Sequence, residues 1–237
     1  MQNVIYAEGI TKSFGPKKVL RGLSFSASEH ETVALMGPNG AGKTTFLNIL
    51  ATLTAPEAGI VTYYGLPSKG NESEIRRRLG IVSHQLMLYA DLTAEENLQF
   101  YAKMYTLQKS EQRIDEIFEL VHLNKQRRQV VRTLSRGMQQ RLAIGRALLH
   151  DPQILFLDEP FTGLDAAAAE RMIELLQKVV SQEKTVVMVS HSFKEVSLLA
   201  NRALLLQSGS FVQSLTLAGW DEQKLAEQYR AVIRSGE

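Results

Sequence analysis

Gly37-Pro38-Asn39-Gly40-Ala41-Gly42-Lys43-Thr44 is the stretch from which the fold of this chain can be read. It fits the pattern G-x-x-x-x-G-K-S/T. The five residues before it, Thr32, Val33, Ala34, Leu35 and Met36, form a short apolar run stopped by Gly37, which predicts a buried strand. A helix is expected to start near Lys43 and to end before Pro56. Strand, glycine-rich turn and helix in that order make a cradle for a phosphate. The glycines let backbone N–H groups curl around it with no Cβ in the way, and the helix N-terminus adds positive potential at the same point. Lys43 can then reach the β- and γ-phosphates of a nucleotide, and the Thr44 hydroxyl can ligate Mg²⁺.

Working outward, Ile154-Leu155-Phe156-Leu157-Asp158-Glu159 is an apolar strand that ends in two acids. Beside a phosphate loop, Asp158 is a candidate for Mg²⁺ and Glu159 a candidate for polarising an attacking water. Between the two motifs the pattern changes period. Leu98, Tyr101, Ala102 and Tyr105 recur at i, i+3, i+4, i+7, and so do Ile114, Ile117, Phe118 and Val121, which predicts a helical lobe over residues 94–150.

The rest alternates. Residues 1–35 read as strands, as do 61–64, 80–83, 154–157 and 185–190. A helix lies before the last of these, with Met172, Leu175, Leu176 and Val179 on one face. Residues 203–207 and 210–214 read as a hairpin turning at Ser208-Gly209, and residues 221–234 as an amphipathic tail helix. Strands alternating with helices define an α/β core with a mainly parallel sheet, in which the helical stretch is an insertion.

Composition excludes whole classes of function. Hydrophobic residues make up 44% and charged residues 22%, which is ordinary globular usage and not that of a disordered or fibrous chain. With no cysteine, disulfides, zinc ribbons and iron–sulfur clusters are out of reach. A net charge of +2 gives no electrostatic footprint for nucleic acid, and none is expected as a partner. No apolar run approaches the roughly 20 residues of a membrane helix, and the N-terminus lacks the basic start and apolar stretch of a secretory signal. The chain is therefore expected to be soluble by itself and to reach any membrane through a partner.

Leu134-Ser135-Arg136-Gly137-Met138-Gln139-Gln140-Arg141 precedes a helix rich in small residues, and Ser135 is a natural N-cap for it. With this segment in place, the order of motifs over about residues 3–215 resembles the ATP-binding subunit of an ABC transporter. Residues 37–44 match the family's Walker A motif, 154–159 its Walker B motif and 134–141 its signature motif. Thr162-Gly163-Leu164-Asp165 resembles the D-loop, His191 sits at the switch-histidine position, Gln85 at the Q-loop position, and Phe14 where an aromatic ring stacks on adenine. Arg136 departs from the family's usual pair of adjacent glycines. Two directions are open to its guanidinium, toward the facing γ-phosphate or into solvent.

The resemblance implies a single ATPase domain over residues 1–237. Its P-loop NTPase core would be RecA-like, carrying an antiparallel β subdomain (residues 1–93 and 151–215), an inserted α-helical subdomain (94–150) and a C-terminal helix (216–237). It implies ATP and Mg²⁺ as ligands. Glu159, His191 and Gln85 would be catalytic, and Thr44, Gln85 and Asp158 would hold the metal. Phe14, Gly37, Pro38, Asn39, Gly40, Ala41, Gly42, Lys43, Thr44, Thr45, Ser135, Gly137 and Asp165 would contact the nucleotide. Such domains work as head-to-tail homodimers or heterodimers, each ATP lying between the Walker A loop of one subunit and the signature of the other. They serve a separate transmembrane permease from the cytoplasmic face of the inner membrane. Residues 83–85, 91–101 and 158–165 resemble the haem-exporter type used in cytochrome c maturation, and drug or other small-molecule exporters share much of that pattern. Non-transport relatives carry coiled-coil insertions, zinc-binding cysteines or tandem ATPase domains, none of which is seen here. A kinase would leave residues 134–141 and His191 without a role.

Overall fold

The structure is a computed structural model and describes residues 3–234. Residues 1–2, where the N-terminal reading starts, and 235–237, where the single-domain span ends, lie outside it. Among the described residues ten strands form two sheets. The larger has the order β10(Ser210–Thr216), β9(Arg202–Gln207), β3(Thr32–Met36), β8(Thr185–Val189), β7(Ile154–Asp158), β6(Leu79–Val82). Its strands are parallel except β10, which closes the hairpin back onto β9. Every residue of β3, β7 and β8 is buried, as continuous apolar strands covered on both faces require. The smaller sheet is antiparallel, in the order β2(Lys17–Ser28), β1(Asn3–Phe14), β4(Ala58–Tyr63), β5(Leu66–Pro67).

Helix α1(Lys43–Leu50) joins the two sheets. Its Phe46 ring meets Phe25 of β2 at 5.8 Å and Phe211 of β10 at 5.4 Å, both edge to face. The helix stops at Leu50, short of the expected end before Pro56. Ala51 leaves helical geometry and Thr52 enters the left-handed region at φ 58°. Arg76, from the short helix α2(Glu72–Arg76), fixes Thr52 there by donating to its Oγ1 and its carbonyl at 3.0 and 2.9 Å.

The inserted stretch is helical as expected: α3(Ala94–Met104), α4(Ser110–Leu120) and α5(Arg136–Leu148). Thr93 and Glu96 form a reciprocal capping box at the start of α3. The predicted face residues Leu98, Tyr101, Ala102, Ile114, Ile117, Phe118 and Val121 are buried and pack with Val82, Leu155 and Leu157 of the large sheet. Arg146 of α5 is 5% exposed and forms no ion pair among the described residues. Its guanidinium lies over the Tyr101 ring at 5.2 Å, donates to the Ile81 carbonyl and reaches Met87 Sδ at 3.9 Å. It thereby ties α5 to the segment after β6 that carries Gln85.

Helix α6(Ala166–Ser181) buries Met172, Leu175, Leu176 and Val179, the expected face. A short helix that the sequence reading did not name, α7(Phe193–Leu199), follows His191 and packs on α8(Glu222–Arg234). Among the described residues no helix is long and apolar enough to cross a membrane.

Candidate nucleotide site

The functional residues gather at the carboxyl ends of β3, β7 and β8, where the strand order of a parallel sheet opens a crevice. The loop after β3 is held from behind by the β9–β10 hairpin. Gly37 passes so close to it that a Cβ would lie 2.0 Å from the Leu206 carbonyl oxygen. At the hairpin tip Gly209, with φ 82°, donates its N–H to the Ala41 carbonyl at 3.1 Å and accepts from Arg21 N–H at 2.9 Å.

Lys43 is buried and donates to the carbonyls of Gly37 and Pro38 at 2.8 and 3.0 Å. Burial lowers its pKa, and the nearby Glu159 and Asp158 carboxylates work against that shift. Thr44 Oγ1 donates to Asp158 Oδ1 at 3.0 Å. Asp158, 4% exposed at the end of β7, has its carboxyl pushed up by burial, with the Thr44 hydrogen bond opposing. A cavity of about 290 Å³ opens over the loop, lined by Asn39, Gly40, Gly42, Lys43, Thr44, Thr45 and Glu159. Lys17 and Val19 of β2 also line it, and the sequence reading missed both. The pairing of β2 with β1, which ends at Phe14 opposite Lys17, helps to bring them there.

Glu159 is a non-glycine residue at φ 50°, a conformation that favours glycine and that concentrates at functional sites. Its Oε1 lies 2.8 Å from His191 Nε2, and its Oε2 accepts from Thr162 Oγ1 at 3.1 Å. The expected acid and the expected histidine, 32 residues apart in sequence, are therefore in contact. Phe14 is 56% exposed, with the Lys12 ammonium over its ring 5.7 Å from the centre; it is not a core residue. Gln85 is exposed and lines neither this cavity nor the one around His191; its carbonyl accepts from Ser83 Oγ at 2.6 Å.

Ser135 caps α5 as expected, accepting from Met138 N–H at 3.3 Å, and Asp165 caps α6, accepting from Ala168 N–H at 2.7 Å. With Gly137, Arg136 and Arg171 they line a separate pocket of about 120 Å³ that shares no residue with the cavity over the phosphate loop. Arg136 is exposed there and forms no ion pair among the described residues.

The donor set suits Mg²⁺. Among the described residues no group of three acidic or histidine side chains could hold a metal by itself. Thr44 and Asp158 offer two hard oxygen ligands beside the phosphate loop, which matches an ion that takes its other ligands from phosphates and water. Bound there, the ion would neutralise charge on the phosphates.

Strand, loop, helix and the two acids at the sheet's carboxyl edge define a site for a nucleoside triphosphate. Comparison with known proteins agrees. Residues 20–162 match the family model described as "ABC transporter". The linearmycin resistance ATP-binding protein of Bacillus subtilis (strain 168) is 35% identical over 88% of this chain and 68% of its own. A Nod factor export ATP-binding protein of Ralstonia nicotianae is 35% identical over 87% of this chain and 65% of its own. A solved ATP-binding cassette, dimeric and bound to ADP and phosphate after hydrolysis, superposes with a TM-score of 0.82 at 30% identity, covering 91% of this chain and 100% of that one. The chain belongs to the ABC transporter family, as an ATP-binding subunit that hydrolyses ATP.

Proposed function

We propose that this chain energises a separate permease that exports a drug or another small molecule. The names of its relatives, linearmycin resistance and Nod factor export, favour that reading over the haem-exporter reading drawn from residues 83–85, 91–101 and 158–165. Two copies pair head to tail at the cytoplasmic face of the inner membrane. Each ATP is held by Lys43 and the loop backbone of one copy, with Phe14 on the adenine, and by Ser135 and Gly137 of the other. Asp165 supports the same interface from its place beside them. Thr44 and Asp158 would hold Mg²⁺. Glu159 orients the water, and His191 keeps Glu159 in place and contacts the γ-phosphate. Tyr89, Phe100 and Met104, exposed on and beside α3, offer the permease an apolar surface.

The observation that carries this reading is the separation of the two half-sites. Ser135 and Gly137 sit at a helix N-terminus in a pocket that shares no residue with the cavity over the chain's own phosphate loop, which fits a site completed by a second copy. Glu159→Gln keeps the shape of the side chain and loses its basicity. It is expected to bind ATP, hydrolyse it very slowly and become a dimer only with ATP, read by light scattering. A variant that stays monomeric at saturating ATP removes the paired mechanism.

A further inference from the structure

His191 and Glu159 meet at 2.8 Å, yet their side chains are 43% and 30% exposed, so packing does not fix the imidazole. The backbone on either side of it is fixed instead. Ser190 Oγ donates to Glu195 Oε2 at 2.7 Å, Ser192 N–H donates to Ser190 Oγ at 3.1 Å, and Glu195 N–H donates to Ser192 Oγ at 3.3 Å. These three bonds close a ring of contacts around the turn that presents His191. In an ordinary capping box the acid at the third helical position would bond the N-cap N–H directly. Here Ser190 is interposed: its hydroxyl takes the Ser192 N–H, and Glu195 takes the hydroxyl hydrogen. The clamp therefore grips the residue before His191 as well as the one after it. Ser190 is 3% exposed, and burial pushes the Glu195 carboxyl up against the hydrogen bonds from both serines. The same turn is anchored on its far side, where Phe193 packs edge to face on Tyr229 of α8 at 5.3 Å.

We propose that Glu195 is a positioning residue for ATP hydrolysis, which acts through Ser190 and Ser192 to hold His191 against Glu159. The inference rests on the reading of His191 and Glu159 as the pair at the γ-phosphate. Fixing the turn removes the backbone freedom that would otherwise let the imidazole swing away. A catalytic group displaced by about 1 Å can lose two orders of magnitude in rate.

The test is a kinetic cycle on the whole chain: wild type, His191→Ala, Glu195→Ala and the double variant, with Glu195→Gln beside them. Glu195→Ala is expected to lower kcat roughly tenfold or more and to leave KM for ATP nearly unchanged, because no group of the phosphate loop is touched. Glu195→Gln keeps an acceptor for Ser190 and retains most of kcat. In the His191→Ala background Glu195→Ala causes no further loss, since its effect runs through the imidazole. Additive losses overturn the inference and leave the reading of the site intact. So does wild-type kcat in Glu195→Ala beside an impaired His191→Ala. Wild-type kcat in His191→Ala overturns the reading of the site, and the inference with it. If thermal melts show Glu195→Ala unfolded, Ser190→Ala, which opens the same ring by one oxygen atom, replaces it in the cycle and is held to the same outcomes.

Discussion

The ammonium of Lys43 is satisfied by two carbonyls of its own loop, and its stem is buried beneath them. An incoming phosphate must win this cation from the carbonyls, which it does because the bond to a charged acceptor is the stronger one. Lys43→Ala should weaken ATP binding by roughly 1.5–3 kcal/mol, the usual size of such a bond, which is about one to two orders of magnitude in Kd, and should abolish turnover. Nucleotide titration and an ATPase assay check this; wild-type turnover would take Lys43 out of the site. Glu159 shows a different constraint. Its left-handed backbone aims the carboxylate at His191 and Thr162 at a conformational cost that surrounding contacts must offset, among them its own N–H donating to the Val189 carbonyl at 3.0 Å.

Among the elements, the β9–β10 hairpin has a role that no catalytic motif announces. Ser208 and Gly209, both at positive φ, make the tight turn that suits two twisted strands. The same turn braces the phosphate loop through Ala41. A Cβ on Gly209 would lie 2.3 Å from the Val19 carbonyl oxygen, and Val19 lines the nucleotide cavity. Gly209→Ala should therefore cost about 1–3 kcal/mol through backbone strain, or some 2–12 °C in Tm for a chain of this size. It should also weaken ATP binding without changing any residue of the nucleotide motifs. An unchanged Kd with a lowered Tm would limit the hairpin to a folding role.

At the scale of the molecule, the helical lobe is joined to the sheet by polar side chains that bond backbone carbonyls, Arg146 to Ile81 and His150 to Leu79. His150 stacks on Tyr105 at 4.0 Å and donates from Nε2 to the Leu79 carbonyl at 3.0 Å, while Nδ1 is buried with no partner among the described residues. Burial, the larger cause, and the nearby Arg146 hold its pKa below the ordinary histidine value. A histidine depressed in the folded state stabilises the fold above its unfolded pKa of about 6.5. That stability is lost as pH falls toward the folded value, because the unfolded chain takes up the proton first. Between pH 7 and 5 the Tm should fall, and His150→Phe, which keeps the stacking, should fall less. Equal slopes in the two proteins would remove His150 as a cause.

The sequence by itself determined the class of fold, the phosphate loop, the acid pair and the buried faces of the long helices, because each is written in local spacing: glycines before Gly-Lys-Thr, an apolar strand before Asp158-Glu159, apolar residues at i, i+3, i+4. It also marked Ser135 as an N-cap, while the roles of Ser135 and His191 at a nucleotide came only by resemblance to a family. Contacts between segments distant in sequence were decided by the tertiary structure alone. No local pattern could place Lys17 and Val19 over the loop, seat the hairpin tip on Ala41, show Glu159 and His191 in contact, or reveal that Ser190 and Glu195 clamp the turn between them. The early end of α1 was equally hidden, since Arg76 fixes Thr52 from 24 residues away. Each of these depends on how the two sheets and the helical lobe pack, and packing brings together groups whose spacing along the chain carries no signal.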